Sequence, residues 1–123
     1  MSSRSFESGA AALRRMIVAC VTLRLYAQRT NEVEFFKRAE VYDAICMQIS
    51  QLGEQVSQLE GSPERIPQHF PHEVEWSELK GLRNRIGHNY ASIDAKKIWE
   101  FVTDDVEATE QSLKRILKKR FGL

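Results

Sequence analysis

Residues 42–59 read YDAICMQISQLGEQVSQL, and the placing of their apolar side chains sets the class of fold. Tyr42, Ile45, Ile49, Leu52, Val56 and Leu59 recur at steps of 3, 4, 3, 4 and 3. That is the period of one face of an α-helix, and the strict alternation suits a seam in a helical bundle. The helix is expected to start near Glu32, where Asn31 and Glu34 have the spacing of a capping box. It should run to about Leu59, with Gly61 as its C-cap.

The same period returns on both sides. Upstream, Leu13, Ile17, Cys20, Leu23 and Ala27 mark a first helix from about Ala10 to Arg29. Before it, residues 1–8 are polar and Ser-rich and read as a flexible tail. Downstream, residues 61–73 hold all three prolines and two of the three histidines, which makes a loop. Trp76, Leu79, Leu82 and Ile86 give a third helix ending near His88. Ile98, Val102, Val106, Thr109, Leu113 and Ile116 give a fourth, from about Ala95 to Lys119, capped by Ser92 or Asp94. No apolar–polar alternation bounded by turns marks a strand. The expected fold is all-α: an antiparallel bundle of four helices, five at most, with residues 9–123 as one domain.

Composition narrows the function. The chain has 123 residues, 42% hydrophobic and 28% charged, the balance of an ordinary globular domain. A net charge of +1 argues against nucleic-acid binding by bulk charge, though not against a few well-placed arginines. Lys114, Arg115, Lys118, Lys119 and Arg120 read as a helix end complementing its dipole. Cys20 and Cys46 sit in apolar stripes and read as buried free thiols. The longest apolar run, Met16–Leu23, is too short to span a bilayer, so a cytoplasmic protein is expected. His69 and His72 lack further ligands at metal-site spacing and read as loop residues; no metal and no cofactor are expected.

Residues 79–90, LKGLRNRIGHNY, stand apart. Two glycines, Gly81 and Gly87, each cost about 1 kcal/mol inside a helix, which suggests close approach to a partner helix or a ligand. Between and after them come Arg83, Asn84, Arg85, His88, Asn89 and Tyr90. An imidazole can move the 2′-hydroxyl proton of RNA, and a guanidinium can hold the phosphate and stabilise developing charge. No carboxylate cluster of two-metal character accompanies them. On an ideal helix Arg83 and Tyr90 share a face, whereas His88 falls about 140° from Arg83. Either the helix loosens at Gly87, or arginine and histidine meet across a symmetric interface between two copies. The same residue types could also be structural, with arginine paired to a carboxylate and histidine capping carbonyls.

Residues 83–90, RNRIGHNY, match the Arg-x-x-x-x-His-x-Tyr motif of the HepT branch of the HEPN ribonucleases. The surrounding VEWSELKGLRNRIGHNYASIDAKKIWEFV resembles the family's run, and ICMQISQLGEQVSQL resembles its preceding helix, including Gly53 and Glu54. The likeness covers roughly residues 33–117. It implies a homodimeric HEPN-like bundle acting as a metal-independent endoribonuclease toxin, with Arg83 and His88 as the cleavage pair. Asn84 and Arg85 would bind RNA phosphate. Tyr90 would be the tyrosine on which an MntA-type minimal nucleotidyltransferase antitoxin places AMP. The chain departs from the family at Asp105-Val106-Glu107, where a helix-breaking proline is often found. The fourth helix should therefore be unbroken. The first thirty residues match poorly. Two other readings compete: a non-catalytic HEPN subunit presenting nucleotide or substrate to a nucleotidyltransferase, and a purely structural helical dimer.

Overall fold

The computed structural model describes the backbone of residues 2–88 and 95–123, and the side chains of residues 9–86 and 95–123. Its helices are α1 (Ser2–Gln28), α2 (Glu32–Lys37), α3 (Ala39–Gly61), α4 (Ile66–His69), α5 (Trp76–His88), α6 (Ala95–Glu100) and α7 (Val106–Phe121). A π-helical turn, Phe101–Asp105, joins the last two. No strand occurs among the described residues. None of the helices is long and apolar enough to cross a membrane.

The 42–59 stripe is buried as its period requires. Ile45, Ile49, Leu52, Val56 and Leu59 are wholly enclosed, and Tyr42 packs at the edge of the same core. Each such side chain contributes about 1.5–3 kcal/mol through burial. Leu13, Met16, Cys20 and Leu23 of α1 meet them, and α1 lies between α3 and α7 while α3 lies between α1 and α5. Successive neighbours run antiparallel. Along α3 and α5, Glu60 pairs with Lys80 and Glu54 with Arg83; along α1 and α7, Arg24 pairs with Glu110 while Gly9 approaches Phe121. The bundle is the all-α architecture that the periodicity predicts.

Seven α-helices are described where five at most were expected, one of them, α4, inside the expected loop 61–73, and the structure departs from the sequence reading in three further places. α1 begins at Ser2, over residues set aside as a tail; no proline or glycine interrupts the chain before Gly9. The expected second helix is two helices. Asn31 caps α2 by accepting from the Glu34 amide at 2.9 Å, and the chain then turns extended at Arg38. In one continuous helix residues 35 and 42 would stand about 10 Å apart along the axis. The break instead folds Phe35 back, so that its ring centroid lies 5.3 Å from Tyr42 and 5.0 Å from Trp99.

The third departure is in the last helix, which is not a plain α-helix but widens at Phe101–Asp105. The π turn takes up an extra residue. Beyond it Val106, Leu113 and Ile116 are buried as expected, and Glu110, on the same face, is 1% exposed while Thr109 stands at its edge. Glu110 is held by Arg24 at 2.7 Å and Lys114 at 2.9 Å. The expected caps Ser92 and Asp94 lie outside the described residues.

Candidate functional site

α5 is anchored at its start by the Trp76 indole, which donates to the Phe70 carbonyl at 2.9 Å. Its inner face is Leu79 and Leu82, with Ile86 partly covered. That orientation sends Arg83 to the flank beside α3 and Arg85 to the flank beside α6.

At Arg83 the two helices touch. A Cβ placed on Gly53 of α3 would lie 2.3 Å from the Arg83 Cβ, 2.9 Å from its Cγ and 3.0 Å from the Leu79 carbonyl oxygen. Glycine is the residue that permits this crossing. Next in sequence, Glu54 accepts from Arg83 Nη2 at 2.9 Å, with the two side chains 48% and 43% exposed. Asn84 stands beside the same guanidinium, its Oδ1 3.5 Å from Nη1. The crossing thus fixes the arginine's stem, and the carboxylate fixes one edge of its head, at a solvent-accessible position. Between exposed groups such a pair is worth at most about 1 kcal/mol to stability, so its consequence is orientation.

Arg85 lines a different feature. Between α5 and the segment formed by α6 and the π turn runs an open cleft of about 560 Å³. Arg85 and Lys97 border it on opposite sides, Glu100, Gly81 and Phe101 lie along it, and Glu78 and Asp105 border it further on. Burial, then the charges of Asp105 and Glu75, hold the Glu78 carboxyl above its usual range. Asp105 and Glu78 also border a smaller groove of about 280 Å³ that continues toward His72 and Thr109.

The sequence-predicted residues therefore separate. Arg83 and Asn84 stand together near α3, while Arg85 faces the cleft. The backbone of His88 is the last turn of α5, and its side chain, with Asn89 and Tyr90, lies outside the described residues. Of the two approaches expected at Gly81, the one to a helix of the same chain is not there: a Cβ at Gly81 meets nothing within 4 Å. The close approach is at Gly53. His69 bonds through Nδ1 to the Glu64 carbonyl at 2.9 Å. Among the described residues no group of three metal-ligating side chains comes together. The sequence reading quoted Gly53 and Glu54 within the family resemblance without a role for either, and passed over Lys97. A glycine beside a seam position of a long helix was the available signal for the first two.

A family model described as ribonuclease HepT-like matches residues 16–116. Two proteins of Methanocaldococcus jannaschii are similar. The one named Putative RNase MJ0125 is 25% identical over 69% of this chain and 70% of its own length. The one named Putative RNase MJ0127 is 28% identical over 72% and 73%. A third, Putative RNase TTE0752 of Caldanaerobacter subterraneus subsp. tengcongensis, is 33% identical over 37% of this chain and 41% of its own. No solved structure matches significantly.

Proposed function

Because the chain belongs to the HepT-like ribonuclease family, whose model spans most of its length, we propose that it is a metal-independent endoribonuclease and the toxin of a toxin–antitoxin pair. The observation that carries the reading is the Arg83 guanidinium, accessible at the α3–α5 crossing and held there by Glu54 over Gly53. The pairing to Glu54 alone would also suit a structural arginine; the exposure of the guanidinium at the motif position is what supports the catalytic reading.

The proposed reaction is a transesterification. The 2′-oxygen of one nucleotide attacks the adjacent phosphorus, the O2′–P bond forms and the P–O5′ bond breaks. His88 takes the 2′-hydroxyl proton or, as imidazolium, protonates the departing 5′-oxygen. Arg83 faces the non-bridging oxygens and stabilises their growing charge. The products are a 2′,3′-cyclic phosphate and a free 5′-hydroxyl, with no co-reactant consumed. Single-stranded RNA in the cytoplasm is the substrate, because its 2′-hydroxyl is free to align with the phosphate.

α5 stays helical through residue 88, so positions 83 and 88 lie about 140° apart around it. That supports a homodimer in which the arginine of one copy works with the histidine of the other. Tyr90 is the acceptor for AMP from an MntA-type nucleotidyltransferase antitoxin; the added bulk and negative charge would obstruct RNA phosphate there.

The experiment co-expresses Arg83→Ala and His88→Ala chains and assays RNA cleavage in EDTA, with cyclic-phosphate ends as the readout. Each variant alone is inactive. Random assortment gives half heterodimers, each holding one intact cross-subunit pairing of two, so about a quarter of wild-type activity returns. An inactive mixture refutes the cross-subunit site, and wild-type protein that leaves RNA intact refutes the nuclease.

A further inference from the structure

The cleft between α5 and the α6–π-turn segment is separate from the Arg83 crossing, and three observations about it converge. First, its floor holds an unexplained glycine. Gly81 sits in the interior of α5, where alanine would be about 1 kcal/mol better, yet among the described residues no atom lies within 4 Å of where its Cβ would be. Packing within the chain gives no reason for it; space for something outside the chain does.

Second, the charges along the cleft are ordered. α5 ascends toward the motif while α6 and the π turn descend from it, so Arg85 and Lys97 mark the end nearer the motif. Glu100 lies between, one turn beyond Lys97 on α6, and Glu78 with Asp105 mark the far end, so positive charge is confined to the motif end. Neither cation is in an ion pair among the described residues, unlike Arg24, Arg38, Lys80, Arg83 and Lys114. Third, the size suits one nucleotide. The volume of about 560 Å³ falls inside the ~300–1,000 Å³ range of small-molecule sites. From Ser77 to Arg85 the helix rises about 12 Å.

We propose that this cleft is a nucleotide subsite flanking the scissile phosphate of bound RNA. Arg85 and Lys97 take a backbone phosphate, the base lies over Gly81, and its N–H edge turns to Glu78 and Asp105. The inference rests on the ribonuclease reading and adds a direction to it. A phosphate is repelled at the carboxylate end and drawn to the cationic end, so the strand enters in one orientation. Guanine, with two adjacent N–H donors on its pairing edge, suits a carboxylate better than uracil, which offers one. Burial first, and then the neighbouring charges of Asp105 and Glu75, raise the proton affinity of Glu78 at this end of the cleft.

The glycine supplies a clean test. Gly81→Leu introduces a side chain into open space, and Gly81→Ala is a smaller control; both should keep or raise Tm. The probes are fluorescein-labelled 2′-O-methyl oligonucleotides, UUGUU and UUUUU, which bind but cannot be cut. Wild type should favour UUGUU, and Gly81→Leu should raise its Kd about tenfold or more. Arg85→Ala should reduce the slope of log Kd against log salt by about 0.7, one single-strand phosphate contact. Glu78→Gln with Asp105→Asn should erase the preference for guanine.

A folded Gly81→Leu protein that binds both probes as wild type does overturns the subsite. So does one whose RNA binding is intact while its self-association is lost, which would assign the glycine to a contact between copies. Equal wild-type affinity for the two probes overturns the role of the carboxylates. Cleavage is scored separately on ordinary RNA. Intact cutting with unaltered binding in Gly81→Leu removes only the subsite, whereas no cutting with the binding pattern intact removes only the nuclease.

Discussion

Replacing Gly53 with alanine should destabilise the protein and displace Arg83, although alanine is the better helix former. The new Cβ would stand 2.3 Å from the Arg83 Cβ and 3.0 Å from the Leu79 carbonyl oxygen. Ordinary carbon–carbon contact is about 3.5–4.0 Å, so α3 and α5 must part by more than 1 Å. Neither obstructing atom can rotate away, because both are fixed to the backbone. Overpacking of this kind costs about 1–3 kcal/mol, and a near-backbone clash belongs at the upper end. Subtracting the ~1 kcal/mol gained in helix propensity leaves about 2 kcal/mol of net loss. For a domain of this size that lowers Tm by roughly 6–12 °C. A 1 Å displacement of a catalytic group can cost about 100-fold in rate, so cleavage should fall further than stability explains. The measurements are calorimetric Tm and kcat well below that Tm, with Gly81→Ala as the paired control. The same substitution there meets open space and should raise Tm. A Gly53→Ala protein with wild-type Tm and kcat would refute the claim that this crossing sets the arginine.

Arg24→Met should cost about 3 kcal/mol in urea unfolding, because it leaves the enclosed Glu110 carboxylate with Lys114 alone; adding Glu110→Leu should recover much of the loss. Burial alone would raise the Glu110 pKa, but hydrogen bonds and charge from Arg24 and Lys114 outweigh it and hold the carboxyl below its usual range. Its stabilising contribution is therefore complete above the unfolded value of about 4.3 and is lost as pH falls through the folded one. Tm should drop more steeply on acidification in wild type than in Glu110→Gln. Burial pushes the Cys20 thiol up to about 12 and the Cys46 thiol to about 11, so iodoacetamide at mild alkaline pH should label only unfolded protein. Labelling of the native state at the unfolded rate would contradict their enclosure.

The helices were legible in the sequence because burial selects one face, and a face has a period. The stripes at 42–59 and 76–86 needed nothing beyond that. Where the reading failed, a contact between distant segments had overridden local continuity. The Arg38 break exists because Phe35 gains two aromatic neighbours, one of them Trp99, far away in the chain. No local stop signal announces it, since Lys37 and Arg38 are good helix formers. The π turn is similar. Phe101 and Val102 are adjacent and both buried, but so are Ile45 and Cys46 in α3 and Ile116 and Leu117 in α7, so the pattern does not mark the widening. The absence of proline at residues 105–107 showed that the chain would not stop there, and left the widening unseen.

For the candidate site, sequence offered residue types without their arrangement. Residue types at 83–90 suggest phosphate chemistry, yet composition treats Arg83 and Arg85 alike, as two cations in one cluster. On the helix they are about 200° apart, and the bundle gives each a different neighbour. Arg83 meets a carboxylate, which orients it and lowers its net charge. Arg85 meets a cleft and is in no ion pair among the described residues. The two are thereby suited to different tasks: the oriented arginine to a transition state whose geometry must be matched, and the other to holding a strand by charge. A near-neutral protein can grip RNA on those terms, because the attraction is concentrated where compensation is missing. If that division is right, added salt should weaken binding chiefly through Arg85, while Arg83→Lys should lower kcat and leave the salt dependence of binding nearly as it was.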